Sequence, residues 1–352
     1  MRTNVSIAGE RTASRDARRR PRTLARLGVP ALATVIALTL VGCAPNLPAA
    51  RPDPVPAVPP PVLSVAQSTA VLGSIKAVLA AGDANLSDVA LGTRLSGPAL
   101  AIRSAEYKLD LGTGGVRVPT MLPMTAQALI TPQTTTWPRS ELVVTVQPDN
   151  LQSPRLLILR QDGPRDQYKL WGWTRLLAGV KMPRTADPAL GSPLLAPDAP
   201  GLVSTPQDVI AHYVDVLSHG TASAYANEFA PDEYRTGLAS SLALLQQGLS
   251  QVGTVADSYT VAPDQLVSMG TATGGALVVA GITTVTTATV TVAGASFTLG
   301  ATEAALAGAS DVKQSETITW SDMVAFYVPP SGSGQRVTVL AAEHQRVSVA
   351  AK

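Results

Sequence analysis

Cysteine is nearly missing: Cys43 is the only one in 352 residues. The chain therefore has no internal disulfide and no thiolate cluster for zinc. Three histidines, His212, His219 and His344, are too few for most His/Cys metal centres. Neither a metal nor another cofactor is expected, and stability must come from packing. A charge of one sign is missing too, with 27 basic residues against 25 acidic ones. Eight of the basic residues are arginines within residues 1–42, beside two acids, Glu10 and Asp16. From Cys43 onward 19 basic residues face 23 acidic ones, a net charge of −4. Such a body lacks the basic footprint of a general nucleic-acid binder, so no nucleic-acid partner is expected. G-x-S-x-G, Walker A and H-E-x-x-H motifs are absent, as is a calcium loop of alternating oxygen ligands.

What is present begins with targeting. An arginine-rich stretch precedes the apolar run from Leu27 to Gly42, the shape of an export signal. At 16 mostly apolar residues the run is short for a permanent membrane span. It ends Leu40-Val41-Gly42-Cys43, which resembles the bacterial lipobox. The resemblance implies diacylation of the Cys43 thiol, cleavage before it and acylation of the new amino group. Residues 1–42 would then be a lipoprotein signal peptide. The partner implied is the membrane, with the body on the extracytoplasmic face. Residues 43–62 are dense in proline, which favours an extended, semi-rigid tether.

Beyond the tether the pattern reads as two α+β domains, residues 63–182 and 205–352, joined by a Pro- and Ala-rich linker over 183–204. Val71, Leu72, Ile75, Val78 and Leu79 mark one helix face, with Gly82 as its stop. Further apolar segments lead to strands at 141–147, 155–160 and 168–174. Strict alternation along the last would put Lys169, Trp171 and Trp173 on one face. Such a face can be a binding surface or a core face, and core packing is the favoured reading. In the second half Thr205-Pro206-Gln207-Asp208 opens a helix by a cap, a proline at the first turn and an acid. A leucine-striped helix follows, then six strand-like segments rich in Thr and Val between 276 and 341.

The helix pattern at 71–82 recurs 138 residues later as Val209, Ile210, Tyr213, Val216, Leu217 and Gly220. That recurrence suggests a duplicated unit. Helices followed by an antiparallel sheet, twice over, resemble the cone-shaped domains of nuclear transport factor 2-like (cystatin-like) proteins. The lipobox, the 168–174 strand and the two helix openings resemble a family of functionally uncharacterised actinobacterial lipoproteins. No catalytic residue transfers from either likeness. The Gly-rich stretches at 112–115 and 270–275 read as plain turns. His219 reads as a helix-end cation, and Asp232 and Glu233 as first-turn acids. Asp215 and Glu228 could face a cone interior. Asp110, Asp166 and Asp322 read as surface acids, and His344 as poorly placed for a built site. The expectation is a lipid-anchored, non-catalytic binding or scaffolding module for an envelope protein, a cell-wall polymer or a lipid. The alternative is a carboxylate-dependent hydrolase or isomerase with its pocket in one cone.

Overall fold

A computed structural model describes residues 58–352. The signal sequence, Cys43 and most of the tether lie outside the described residues. The chain divides at Pro54, and residues Val55–Lys352 form one compact unit.

Helix α1 (Val65–Asn85) starts where Ser64 and Gln67 make a reciprocal capping box. It buries Leu72, Ile75 and Leu79 as the periodicity predicts, but does not stop at Gly82. Gly82 faces inward instead: a Cβ there would come within 2.6 Å of the Tyr107 hydroxyl. The glycine permits a close helix–helix approach, and the chain turns out of the helix at Leu86, in the left-handed region. After a 3-10 turn at Leu91–Thr93 comes α2 (Gly97–Thr113), begun by Pro98. Gly97 has a φ of +51°, and a Cβ there would strike the Trp171 indole, so two constraints demand glycine. α1 is long and apolar enough to cross a membrane. Its apolar stripe is nevertheless buried in a core with α2 and the sheet.

Strands β1 (Ala126–Ile130), β2 (Pro132–Gln133), β3 (Arg139–Thr145), β4 (Arg155–Gln161), β5 (Lys169–Leu176) and β6 (Ser192–Pro193) complete the first half. The second half runs α3 (Pro206–His219), α4 (Glu233–Leu249), β7 (Gly253–Gly270), β8 (Ala276–Val290) and β9 (Phe297–Thr298). It ends with α5 (Ala301–Ala307), β10 (Asp311–Val312), β11 (Ser315–Val328) and β12 (Thr338–Ala351). Thr205 caps α3 as expected, its hydroxyl accepting from the Asp208 amide. Asp232 caps α4 by accepting from the Arg235 amide at 2.7 Å.

The fold class is α+β, with a curled antiparallel sheet of eight strands in the order β1-β3-β4-β5-β12-β11-β8-β7. The sheet is continuous. β5 meets β12 at Leu176–Ala341 and Arg175–Ala342, so the last strands of the two halves close each other's edges. The expected pair of separate domains is thus replaced by two halves of one body. A third core explains why: Leu142, Leu156, Ile158 and Trp171 of the first half pack with Val267, Leu277, Val279 and Met323 of the second. Helices α1 and α2 cover one outer face, and α3 and α4 the other.

The expected linker is also corrected. Ser192–Pro193 pairs with Pro132–Gln133, Leu194 bridges Met269, and Leu202 bridges Pro330. The Leu195 amide donates to Ser268 O at 2.9 Å. Proline keeps the segment out of a regular ladder, but the Ser192, Leu195 and Val203 amides still find backbone partners in both halves, so it straps them together.

Candidate functional site

The indole pair is placed first, because it was the sequence-derived candidate surface. Along β5 the register with β4 slips between Ile158 and Leu159, leaving Trp171 as an extra residue. Such a bulge inverts the alternation beyond it. Trp173 therefore packs beneath α1 and α2, 0% exposed, while Trp171 enters the core between the halves, 6% exposed. Lys169 donates from Nζ to Gly92 O at 2.6 Å. The three residues do not form one surface, and the core reading of both indoles holds.

The second half arranges polar groups differently. Register along β7, β8, β11 and β12 aligns one face of the sheet beneath α3 and α4. Near β8's start this face is wholly apolar, with Val278, Ala280, Val324 and Phe326 in the core beneath α3. Toward the other end of β11, Asp322, Trp320, Ile318 and Glu316 share the same face. Asp322 is fully buried and accepts from the Thr284 hydroxyl, and His344 Nδ1 lies 2.6 Å from its Oδ1. The Trp320 ring stacks on His344 at 4.0 Å, and its Nε1 donates to Thr286 Oγ1 at 3.0 Å. Thr286 donates in turn to Asp257, which also accepts from the Tyr259 hydroxyl. Burial and the nearby Asp257 carboxylate push the Tyr259 pKa up. Burial, then the Asp322 charge, do the same for Tyr234. Arg346 lies over Trp320, 4.4 Å from its centroid, and pairs with Glu303 of α5 at 2.9 Å.

Beside this belt lies a cleft of about 340 Å³. Its walls are the end of α4 (Leu244, Leu245, Leu249), the β9–α5 segment (Phe297, Leu299, Glu303) and the sheet (Thr286, Ile318, Glu316). Thr286 and Glu303 belong both to the cleft and to the belt, so the two are contiguous. Leu244 and Leu245 are 69% and 44% exposed, although Gln246 ties the last turns of α4 to β7 by donating to Val255 O at 3.0 Å. Glu316 is 8% exposed, and its Oε1 has no partner. Its pKa is raised, first by burial and then by the Glu303 carboxylate, with Arg346 acting the other way.

Other candidates resolve as structural. Asp83 and Arg103 line a cleft of about 390 Å³ in the first half, but Arg103 Nε lies 3.4 Å from Asp83 and its Nη1 2.8 Å from Glu106. His212 pairs with Glu228 at 2.7 Å and stacks on Tyr225, while Asp215 accepts from Ser223. Asp232 and Glu233 begin α4, as read. Asp110 is half-buried and Asp166 exposed. The two Gly-rich stretches are the end of α2 and the β7–β8 turn. Asp322 is no surface acid, and His344 is not idly placed; both readings are corrected. Among the described residues no three His, Cys, Asp or Glu side chains converge as metal ligands.

Against this geometry a family model described as "Domain of unknown function (DUF8094)" matches residues 59–351. The chain belongs to the DUF8094 family. The match spans both halves without a break, so the family unit is the whole body, strap included. No curated protein matches the chain. No solved structure matches it either.

Proposed function

We propose that this DUF8094 chain is a lipid-anchored envelope protein acting as a non-catalytic binding module, with the cleft under α4 as its ligand site. The observation that carries the binding reading is the exposure of the last leucines of α4 beside a cleft. Leu244 and Leu245 line a partly apolar cleft without being buried in it, and covering such a surface is favourable. At about 340 Å³ the cleft falls within the range of small-molecule sites, roughly 300–1,000 Å³. The Leu40–Cys43 lipobox supports anchoring. Through it Cys43 would tether the body to the cell membrane on its outer side. The common spacing of the α1 and α3 faces and the mirror-like strand order support reading the halves as copies of one cone-like unit resembling nuclear transport factor 2.

The test is titration of the full chain with Nile red, beside Leu245→Trp, which fills the cleft. One saturable site, lost in the variant while the melting temperature holds, supports the reading. No saturable binding, or binding untouched by Leu245→Trp, overturns it. The Asp322–His344 pair favours the second reading, a carboxylate-dependent hydrolase or isomerase. A buried carboxylate that fixes one imidazole nitrogen is what a general base requires. Against it, Trp320 covers a face of the ring, and His344 is not a wall of the cleft.

A further inference from the structure

The cleft has one feature that a purely apolar ligand would leave unanswered. Glu316 sits on its floor, more than nine-tenths buried, with Oε1 unpartnered. A buried carboxylate without a partner costs stability, and native structures satisfy nearly all such groups. Its strand neighbours are Ala288 of β8 and Ala351 of β12, and alanine supplies no polar atom beyond the backbone. A nearby cation, Arg346, pairs with Glu303 and lies over Trp320, and although its buried Nε has no acceptor it makes no hydrogen bond to Glu316 Oε1. The niche thus has apolar walls, an unbonded acceptor at its base and the Glu303–Arg346 ion pair beside it.

We infer that the cleft takes a small amphiphile with an apolar body and a cationic, hydrogen-bond-donating head, whose head pairs with Glu316 while its body lies under Leu244, Leu245 and Leu249. Charge complementarity selects this class. A carboxylate or phosphate head would face Glu316 beside the Glu303–Arg346 pair, two acids against one cation, and a neutral head would forgo a charge-assisted bond. Burial and the Glu303 charge raise the Glu316 pKa, and an ammonium nearby would oppose that shift. The inference rests on the reading of the cleft as a ligand site.

The test compares octylamine, octan-1-ol and octanoate, which share one apolar chain. Binding is read by calorimetry on the full chain in lipid nanodiscs, with empty nanodiscs subtracted. Octylamine should bind the wild type about tenfold or more tighter than octanol, the order expected for a charge-assisted bond. Octanoate should bind weakest. Glu316→Gln should remove the amine's advantage and leave octanol binding within about twofold, with its melting temperature confirming the fold. Equal affinity for amine and alcohol, or a preference for octanoate, overturns the head-group assignment while leaving the cleft as a site. An amine preference that persists in Glu316→Gln overturns it as well. If no probe binds, or if Leu245→Trp leaves all three unchanged, the cleft reading itself falls, and the head-group inference falls with it.

Discussion

Trp173→Ala is the sharpest test of how the first half is held. The indole is fully buried in a core with Leu72, Ile75, Leu157 and Leu170. Its Nε1 has no acceptor, so the substitution breaks no hydrogen bond, and its cost is cavity plus lost transfer energy, with a smaller share from the Arg103 guanidinium 5.9 Å from the ring centroid. Truncations of this kind cost about 3–5 kcal/mol. An unfolding entropy of about 2.1 cal/mol/K per residue, taken over residues 55–352, gives roughly 0.6 kcal/mol/K. The melting temperature should therefore fall by about 5–8 °C. Trp173→Phe should recover more than half of that, because ring volume matters and the N–H does not. Scanning calorimetry of wild type and both variants reads the effect. A fall of less than about 2 °C for Trp173→Ala would falsify the placement of this indole in a tight core. A Phe variant as damaged as the Ala variant would show that the N–H has a partner and refute the packing argument.

Cys43→Ala should abolish incorporation of a fatty-acid probe in cells and release the protein from membranes; persistent label would refute the lipobox reading. Limited proteolysis should spare residues 191–196, since the pairing with β2 and β7 pins them; early cleavage there would mean that the strap is open in solution. Glu141 is fully buried, and burial raises its pKa, although Ser68 and Thr131 donate to its Oε1. A raised carboxyl pKa stabilises the fold below the ordinary glutamate value, about 4.3, and that stability is lost as pH rises through the folded pKa. Urea midpoints between pH 4 and 8 should therefore fall less with rising pH in Glu141→Gln than in wild type; parallel curves would refute the assignment.

Local signals in the sequence read well. The α3 start was legible because Thr205, Pro206 and Asp208 act within one turn. The α1 and α3 core faces were legible because helical spacing is set by neighbouring residues. What failed depends on partners far away in the chain. β7 escaped notice because Pro263 and Asp264 interrupt it, yet both sit where its pairing with β8 skips between Val261 and Leu266. The Trp171–Trp173 face was misread because nothing local marks the bulge; it exists only in register with β4. Asp322 and His344 come together through the β11–β12 pairing, 22 residues apart in sequence. A trace was visible: Glu316, Ile318, Trp320 and Asp322 alternate on one side of a single strand. Only the strand's full extent, Ser315–Val328, makes that alternation continuous.

The two halves share a layout but treat their polar groups in opposite ways, which bears on where function lies. In the first half the charges between α1 and α2 are spent on one another. Arg103 engages Asp83 and Glu106, Tyr107 donates to Asp83, and Thr120 holds the other Glu106 oxygen. The network closes the gap between α1 and α2 and leaves its carboxylates answered. In the second half a belt of comparable size runs from Asp322 to Glu303, but it stops short of Glu316. There α4 packs along β7 and α5 toward α2 and β12, and neither helix supplies a donor to Glu316 Oε1. Buried polar atoms without a bonded partner occur in both halves, Glu141 Oε2, Glu343 Oε2 and Ser192 Oγ of the strap among them, so it is the leucine wall beside Glu316 that marks this one. The strap and the third core hold the body together. The end of β11, with Glu316 under the leucines of α4, is where a ligand would complete it.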